Sequence, residues 1–307
     1  MTAAQITRQH LVSQVLLRQF TMLDPRGGGW QLQPCDVCNP ERRNKLKSPR
    51  ACGWAPEFVA VDSASVEDLW GSVETRAPAA LAAVHAGTPF ADPLHVEVLR
   101  DLVVLHYVRS YHYRGVYTNA FETVRVNVRS ELIRQFPEQV RREALRQTGF
   151  HLPDSGSLDS FAERLIEQSE VTQDFANGKL FRTSIENMFN KVRDMASKWH
   201  LEVLTPDRGQ FLIGDNPALT VRTDTKPFSY NMAFGDAHSI VLPIGPRRLL
   251  ALGPRNVLGS IPRAVVDEIN TVQILAADRY VYMHPRSELE TFVRAKARQR
   301  QADRLNR

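Results

Sequence analysis

The stretch Phe211-Leu212-Ile213-Gly214-Asp215-Asn216-Pro217-Ala218-Leu219 sets a carboxylate and an amide between two apolar runs. An apolar run ending in Asp-Asn-Pro reads as a strand passing into a turn, where a fold can display a carboxylate. Displayed there, Asp215 could accept a proton, ligate a metal or orient a histidine. The competing role is an Asx-turn, in which Asp215 or Asn216 bonds local backbone ahead of Pro217. His10 offers the group best suited to acid or base chemistry near neutral pH, and Arg18 follows two helical turns later. A satisfied ring hydrogen bond on a helix face is the alternative for His10.

A second concentration is Leu105-His106-Tyr107-Val108-Arg109-Ser110-Tyr111-His112-Tyr113-Arg114, where bases and aromatics interrupt an apolar helix. His106, Arg109 and Tyr113 are expected near one face. Such a face could grip phosphate bidentately and stack a base. It could equally be a buried polar network pinned by Glu74 or Asp215. Glu74 is expected on a helix, as a site carboxylate or as an ion-pair partner of a nearby arginine. Asn270, inside another helix, is either a site amide or a buried tie between helix and sheet. Arg100 and His106 also show the Arg-to-His spacing of some helical ribonuclease modules, a short match that needs its structural context.

Established motifs are missing. The chain has no Walker loop, Gly-x-Gly-x-x-Gly fingerprint, Gly-x-Ser-x-Gly elbow or His-Glu-x-x-His helix. Gly27-Gly28-Gly29 leads into Trp30-Gln31 and reads as a turn. Nucleotide triphosphatases, dinucleotide oxidoreductases, α/β-hydrolases and common metalloproteases therefore drop from the leading readings. The cysteines are Cys35, Cys38 and Cys52. An odd count argues against a disulfide scaffold. A structural zinc site needs four ligands, and Cys52-Gly53-Trp54-Ala55 supplies no second pair, so zinc is not expected. A divalent metal at Asp215 stays open.

The elements that must position these residues follow from periodicity. Residues 5–21 read as a helix, with Ile6, His10, Val12, Val15, Leu16 and Phe20 as its stripe. Trp30 to Gln33 and Phe58 to Val61 read as partner strands. A helix is expected from Ser65, as N-cap with Asp68 behind it, through Glu74 to about His85. A long helical region starts at Asp92-Pro93, with Leu99, Leu102, Val103, His106, Tyr107, Ser110 and Tyr113 on one face. Further helices are expected at 120–135, 137–147, 158–168 and 173–198. Strands follow at 202–204, 210–214, 219–221, 240–242 and 249–252, then a helix at 262–277, a strand at 280–282 and a basic final helix. Helices first and strands later make the chain α+β, with a mostly antiparallel C-terminal sheet. It is read as one domain over 1–307, helical to 198, sheet-rich over 199–285 and basic-helical over 286–307.

With 43% hydrophobic and 24% charged residues the 307-residue chain has the balance of a globular protein able to bury a core. No apolar run is long enough to span a bilayer, and no basic segment precedes an apolar one at the start, so a cytoplasmic protein without membrane contact is expected. The net charge of +5 permits a nucleic-acid partner without requiring one. Its basic concentrations are Arg42, Arg43, Lys45, Lys47 and Arg50, and the tail Arg294, Lys296, Arg298, Arg300, Arg304 and Arg307.

The order of these pieces resembles the DUF4238 family. It runs from an N-terminal His and Leu17-Arg18-Gln19-Phe20 through a Glu-bearing helix and an Arg-bearing long helix. Phe-x-x-x-Asp-Asn-Pro, a strand into Pro243, and Asn270 before Tyr280-Val281-Tyr282 complete it. The resemblance spans most of the chain and implies that His10, Arg18, Glu74, Arg109, Asp215, Asn216 and Asn270 are the recurring polar positions. Family members usually carry a Pro soon after the first His, where this chain has Leu11-Val12-Ser13. The family brings no settled activity. The leading expectation is therefore an enzyme acting on nucleic acid, an RNA-cleaving nuclease. In it His10 is acid or base, Asp215 orients it or binds a divalent ion, Arg109 steadies phosphate charge, and the tail supplies affinity. Glu74 and Asn270 complete the catalytic set. Arg18, His106, Tyr113 and Asn216 would hold substrate. A non-catalytic nucleic-acid or protein-binding module and a small-molecule hydrolase or transferase are the alternatives.

Overall fold

The computed structural model describes residues 8–61, 63–152 and 154–305. The chain opens with β1 (Arg8–His10) and α1 (Gln14–Leu17), the latter continued as a 3-10 turn through Phe20. Small strands follow: β2 (Met22–Leu23), β3 (Trp30–Gln31), β4 (Gln33–Asp36) and β5 (Trp54–Pro56). Then come α2 (Ala64–His85), α3 (Pro93–Val108), α4 (Tyr111–Gln135), α5 (Pro137–Thr148), α6 (Ser155–Glu167), α7 (Glu170–Ala176) and α8 (Lys179–Ala196). The remainder is β6 (His200–Pro206), β7 (Ile213–Gly214), β8 (Leu219–Arg222), β9 (Ser229–Tyr230), β10 (Ser239–Gly245), β11 (Arg248–Gly253), β12 (Val257–Ile261), α9 (Arg263–Ala276), β13 (Tyr280–Met283) and α10 (Glu290–Leu305). The α+β expectation holds, helices first and sheets later.

The main sheet has strand order β12-β6-β11-β10-β8-β9, antiparallel throughout except for the β12–β6 pair. Strand alternation divides its two faces. Ile240, Leu242, Leu250 and Leu252 join the core of the helical half, while Val241, Leu249 and Ala251 pack against Val266, Ile269 and Val272 of α9. On the first face lies α3, buried almost all round because it meets α2, α8 and the sheet at once. Asp92 starts it by accepting a hydrogen bond from Leu94 N at 2.8 Å, with Pro93 in the first turn. A second sheet, β4-β13-β7, closes over α9 and α10 through Cys35, Val281, Met283, Ile274 and Val293. A satellite core joins α4, α5 and α6 through Val140, Ala144, Leu158 and Phe161.

The N-terminal helix expected over 5–21 is corrected. Residues 8–10 form a strand paired with Trp54–Pro56, and the helix begins only at Gln14. The cause is long-range: Leu11 and Val12 donate their N–H groups to Gly53 O, and the Gln9 amide bonds both backbone groups of Val59. That second contact also explains why Phe58 to Val61 is not a strand. Gly53 itself, at φ 65°, needs a glycine, since a Cβ there would sit 3.0 Å from Leu17 and Val12 side chains. The α2 N-cap is Ser63 rather than Ser65, whose hydroxyl bonds Glu186 of α8. The long helix from Asp92 breaks at Arg109, and Ser110 caps α4 through Tyr113 N. Ile6, Pro153 and Arg307 lie outside the described residues. No helix among the described residues is long and apolar enough to cross a membrane.

Candidate functional site

The polar residues singled out by sequence separate into two groups. The first sits where α1, α2 and the end of α3 meet. Arg109 Nη2 donates to Glu74 Oε1 at 2.6 Å and to Ser13 Oγ at 2.7 Å. Ser13 Oγ lies 2.6 Å from Glu74 Oε1 and 2.8 Å from His106 Nε2. His106 Nδ1 reaches Leu102 O at 2.8 Å. A carbonyl can only accept, so Nδ1 carries the ring proton and Nε2 accepts, taking Ser13 N at 3.1 Å. The Arg109 guanidinium also lies over the Trp70 ring, 4.8 Å from its centroid.

Electrostatics fix the charge states of this network. Burial, then Arg109, pushes His106 down to about 3, so it is neutral. Burial pushes Glu74 up, but Arg109 together with hydrogen bonds from Ser13 and Arg109 holds its carboxyl below the usual value. The result is one ion pair inside a neutral lining. A serine against a neutral histidine has the spacing of a nucleophile and base. Ser13 and His106 are nonetheless both 0% exposed, so no substrate reaches them. His10 borders this network half-buried. Burial, then Arg109, lowers its pKa against the pull of Glu74, and its Nε2 lies 3.3 Å from the Gln14 amide.

The second group surrounds the Asp-Asn-Pro turn after β7. Asp215 is buried and accepts three backbone N–H bonds, from Asp278 at 2.7 Å and from Arg279 and Tyr280 at 2.8 Å. Burial pushes its carboxyl up to about 6, opposed by those three bonds. Asn216 Nδ2 donates to Ala276 O at 2.6 Å, and its Oδ1 accepts from His112 N at 3.3 Å. Asn270 ties α9 to the incoming strand, accepting from Leu212 N at 3.0 Å and donating to Gln210 O at 2.9 Å. Gln273 completes the set by accepting from Gly214 N and donating to Pro217 O. Here Gly214 is required by close approach, since a Cβ would meet Gln273 O at 3.0 Å. Asp215, Asn216 and Asn270 thus hold backbone, and among the described residues Asp215 bonds neither His10 nor an arginine side chain.

Two expected residues stand apart from both groups. Arg18 is exposed, and its side chain has no hydrogen bond or ion pair among the described residues. Tyr113 is separated from His106 and Arg109 by the break at Arg109–Ser110. It turns to α8, where its hydroxyl bonds Ser184 and its ring stacks on Phe181.

Beside the Asp215 turn lies a cavity of about 400 Å³ that sequence did not announce. Its walls include Lys47, Trp54, Tyr111, Asp278, Arg279, Tyr280 and Tyr282, with Asp215 at its edge. Tyr280 and Tyr282 point to one side of β13, their rings 6.4 Å apart and 24° from parallel. Tyr282 accepts from Gly53 N at 2.9 Å, and the Arg279 guanidinium bonds Asp36 at 3.1 Å and lies 5.2 Å from the Tyr280 ring. Burial, then Asp278 and Asp215, raises the Tyr111 phenol. The basic loop supplies Lys47, and Arg42, Arg43, Lys45, Lys47 and Arg50 are all exposed without an ion pair among the described residues. The basic tail differs: Arg298 pairs with Glu41 at 2.7 Å, Arg294 with Glu290 at 2.7 Å, and Arg300 is buried.

The family model described as a protein of unknown function, DUF4238, matches residues 8–287, a span that holds both polar groups and the cavity. The chain belongs to the DUF4238 family. No curated protein and no solved structure matches it. Its DUF4238 region holds no group of three or more His, Cys, Asp or Glu side chains placed to bind a metal among the described residues. The cysteines are free: Cys35 and Cys52 are buried, with thiols pushed by burial up to about 12 and about 11, and exposed Cys38 donates to Asp278 O. Apart from Asp215 and the basic-loop Lys47, the cavity residues were the ones sequence missed. The signal for Tyr280 and Tyr282 was their alternation, which read only as a strand, and Asp278-Arg279 just ahead of it was not singled out.

Proposed function

We propose that this protein binds single-stranded nucleic acid in the cytoplasm, taking one nucleotide into the cavity beside the Asp215 turn. The observation that carries this reading is the makeup of its walls. Tyrosines and a tryptophan offer faces on which a base can stack, and Lys47 and Arg279 offer charge for its phosphate. The volume of about 400 Å³ falls within the roughly 300–1,000 Å³ of small-molecule sites. The unpaired cations of residues 42–50 extend that charge outward over the surface a strand would follow. Free thiols suit a reducing compartment.

Anisotropy of a fluorescent single-stranded RNA oligomer tests this. Affinity should fall steeply with salt and weaken in Lys47→Glu and Tyr280→Ala. No binding at low salt, or affinity indifferent to both substitutions, would sink the reading. Cleavage of the bound strand is a second reading, favoured by His10. Its neutral ring is half-exposed beside Glu74, and His10 pairs across β1–β5 with Trp54, a wall of the cavity. There His10 serves as general base. Product on a denaturing gel, lost in His10→Ala while binding persists, is the expected result. An intact oligomer with the wild-type protein leaves a binding function alone.

A further inference from the structure

A second recess, of about 280 Å³, adjoins the first, and the two share Tyr111 and Asp278 as walls. Its other lining includes His112, Asn231, Arg300 and Arg304. Arg300 is only 6% exposed. It reaches out of α10 to cap the end of α9, donating to Ala277 O at 2.6 Å and Ile274 O at 3.5 Å. Its Nε makes no hydrogen bond among the described residues, and neither Arg300 nor Arg304 has a carboxylate within ion-pair distance there. The two stand one turn apart on α10, where burial first and then Arg304 depress the ionisation of Arg300, against the weaker pull of Cys38, Asp215 and Tyr230. Like charges at that spacing destabilise a helix, and a buried cation without a counter-ion is costlier still. The start of α4, a 25-residue helix, adds its positive end through Tyr111 and His112.

We propose that this recess is a phosphate subsite, and that Asp278 between the two recesses accepts a hydrogen bond from the ribose 2′-hydroxyl. The pair then holds one ribonucleotide: ring against the tyrosines, sugar at Asp278, phosphate at Arg300 and Arg304. The inference rests on the nucleic-acid reading and narrows it to RNA. Cations without a carboxylate partner select an anion, and a carboxylate accepts the 2′-hydroxyl that distinguishes RNA from DNA.

Calorimetric titration of the full chain tests it with adenosine 5′-monophosphate, its 2′-deoxy counterpart, adenosine and inorganic phosphate. The monophosphate should bind about tenfold or more tighter than adenosine, the increment of one charge-assisted contact. Arg304→Glu should remove that increment and leave adenosine binding as it was. Asp278→Asn should weaken the ribonucleotide and leave the deoxynucleotide unchanged, so that the two converge. Arg304 is exposed in the last turn of α10 and makes no hydrogen bond or ion pair among the described residues, so its variant is expected to fold, and a thermal melt checks this. Equal affinity for adenosine and its monophosphate overturns the subsite while the nucleic-acid reading stands. Inorganic phosphate binding that adenosine does not improve overturns the ribonucleotide assignment and the nucleic-acid reading together. Tighter binding of the monophosphate that survives Arg304→Glu places the phosphate elsewhere and overturns the proposal.

Discussion

The junction of α1, α2 and α3 and the turn after β7 both gather charged and amide side chains, yet they do opposite things with them. At the junction side chains bond one another: Arg109 to Glu74 and Ser13, Ser13 to His106. Its serine–histidine pair is fully buried, and only the Glu74 carboxylate reaches partly toward solvent. At the turn side chains bond backbone: Asp215, Asn216, Asn270 and Gln273 spend their polar atoms on strand, helix end and loop. That leaves a frame beside an open cavity whose walls are Lys47, Tyr111, Asp278 and Arg279 among others. Side chains with the most reactive chemistry are thus not the ones best placed to meet a ligand. A polar side chain that anchors backbone shapes a site without taking part in it.

Substitutions can break this contrast. The largest effect is expected at the Arg109 network. Glu74→Ala leaves Arg109 buried without its partner and should cost about 3–5 kcal/mol in urea unfolding. A loss under about 1 kcal/mol would mean water already reaches Arg109. Asp215→Ala orphans three N–H groups beside a cavity that admits water, so the cost should be smaller, about 2–4 kcal/mol. A cost above that of Glu74→Ala would reverse the comparison.

Acid should separate the two regions further. His106 has its folded value near 3 against an ordinary 6.5, so its contribution is complete above 6.5 and is lost as pH falls toward 3. Glu74, held low, loses its contribution in acid as well. Asp215 runs the other way: raised to about 6, its contribution is present below 3.8 and is lost as pH rises through 6. Between those values it offsets His106. His106→Gln should therefore gain stability relative to wild type on acidification from pH 6.5 to 4, by at most about 1.4 kcal/mol per pH unit. Parallel pH profiles for the two proteins would contradict a neutral, buried His106. The smallest effect belongs to Arg18→Ala, which should change stability by less than about 0.5 kcal/mol because the side chain is exposed and unpartnered among the described residues. A larger loss of nucleic-acid affinity than of stability there would place Arg18 on the strand's path.

Most helices and strands were legible because each is written locally. Val66, Trp70, Val73 and Ala77 announce α2, and Ile240 to Leu242 announce a strand with two apolar faces. Where local signals failed, a distant partner had overruled them. Gln9 and Gly53 turned the first residues into a strand, whereas the break at Arg109 is a local signal, the Ser110 cap, that the periodicity concealed. Among the candidate residues, Glu74, Arg109, Asp215, Asn216 and Asn270 find protein partners while the Arg18 side chain finds none among the described residues, a division that sequence left open.

By itself the sequence determined the basic loop and the Asp-Asn-Pro turn, which depend on residues within a few positions of one another, and the α+β order and the family, which depend on the order of such local pieces along the chain. Only the tertiary structure decided that Glu74 and Arg109 meet Ser13 across the chain, and that Asp215 clamps the start of β13. Only there do Lys47, Tyr111 and Tyr280 share one cavity. Contacts between residues tens to hundreds of positions apart are set by how layers pack, and packing is a property of the whole core rather than of any stretch of it.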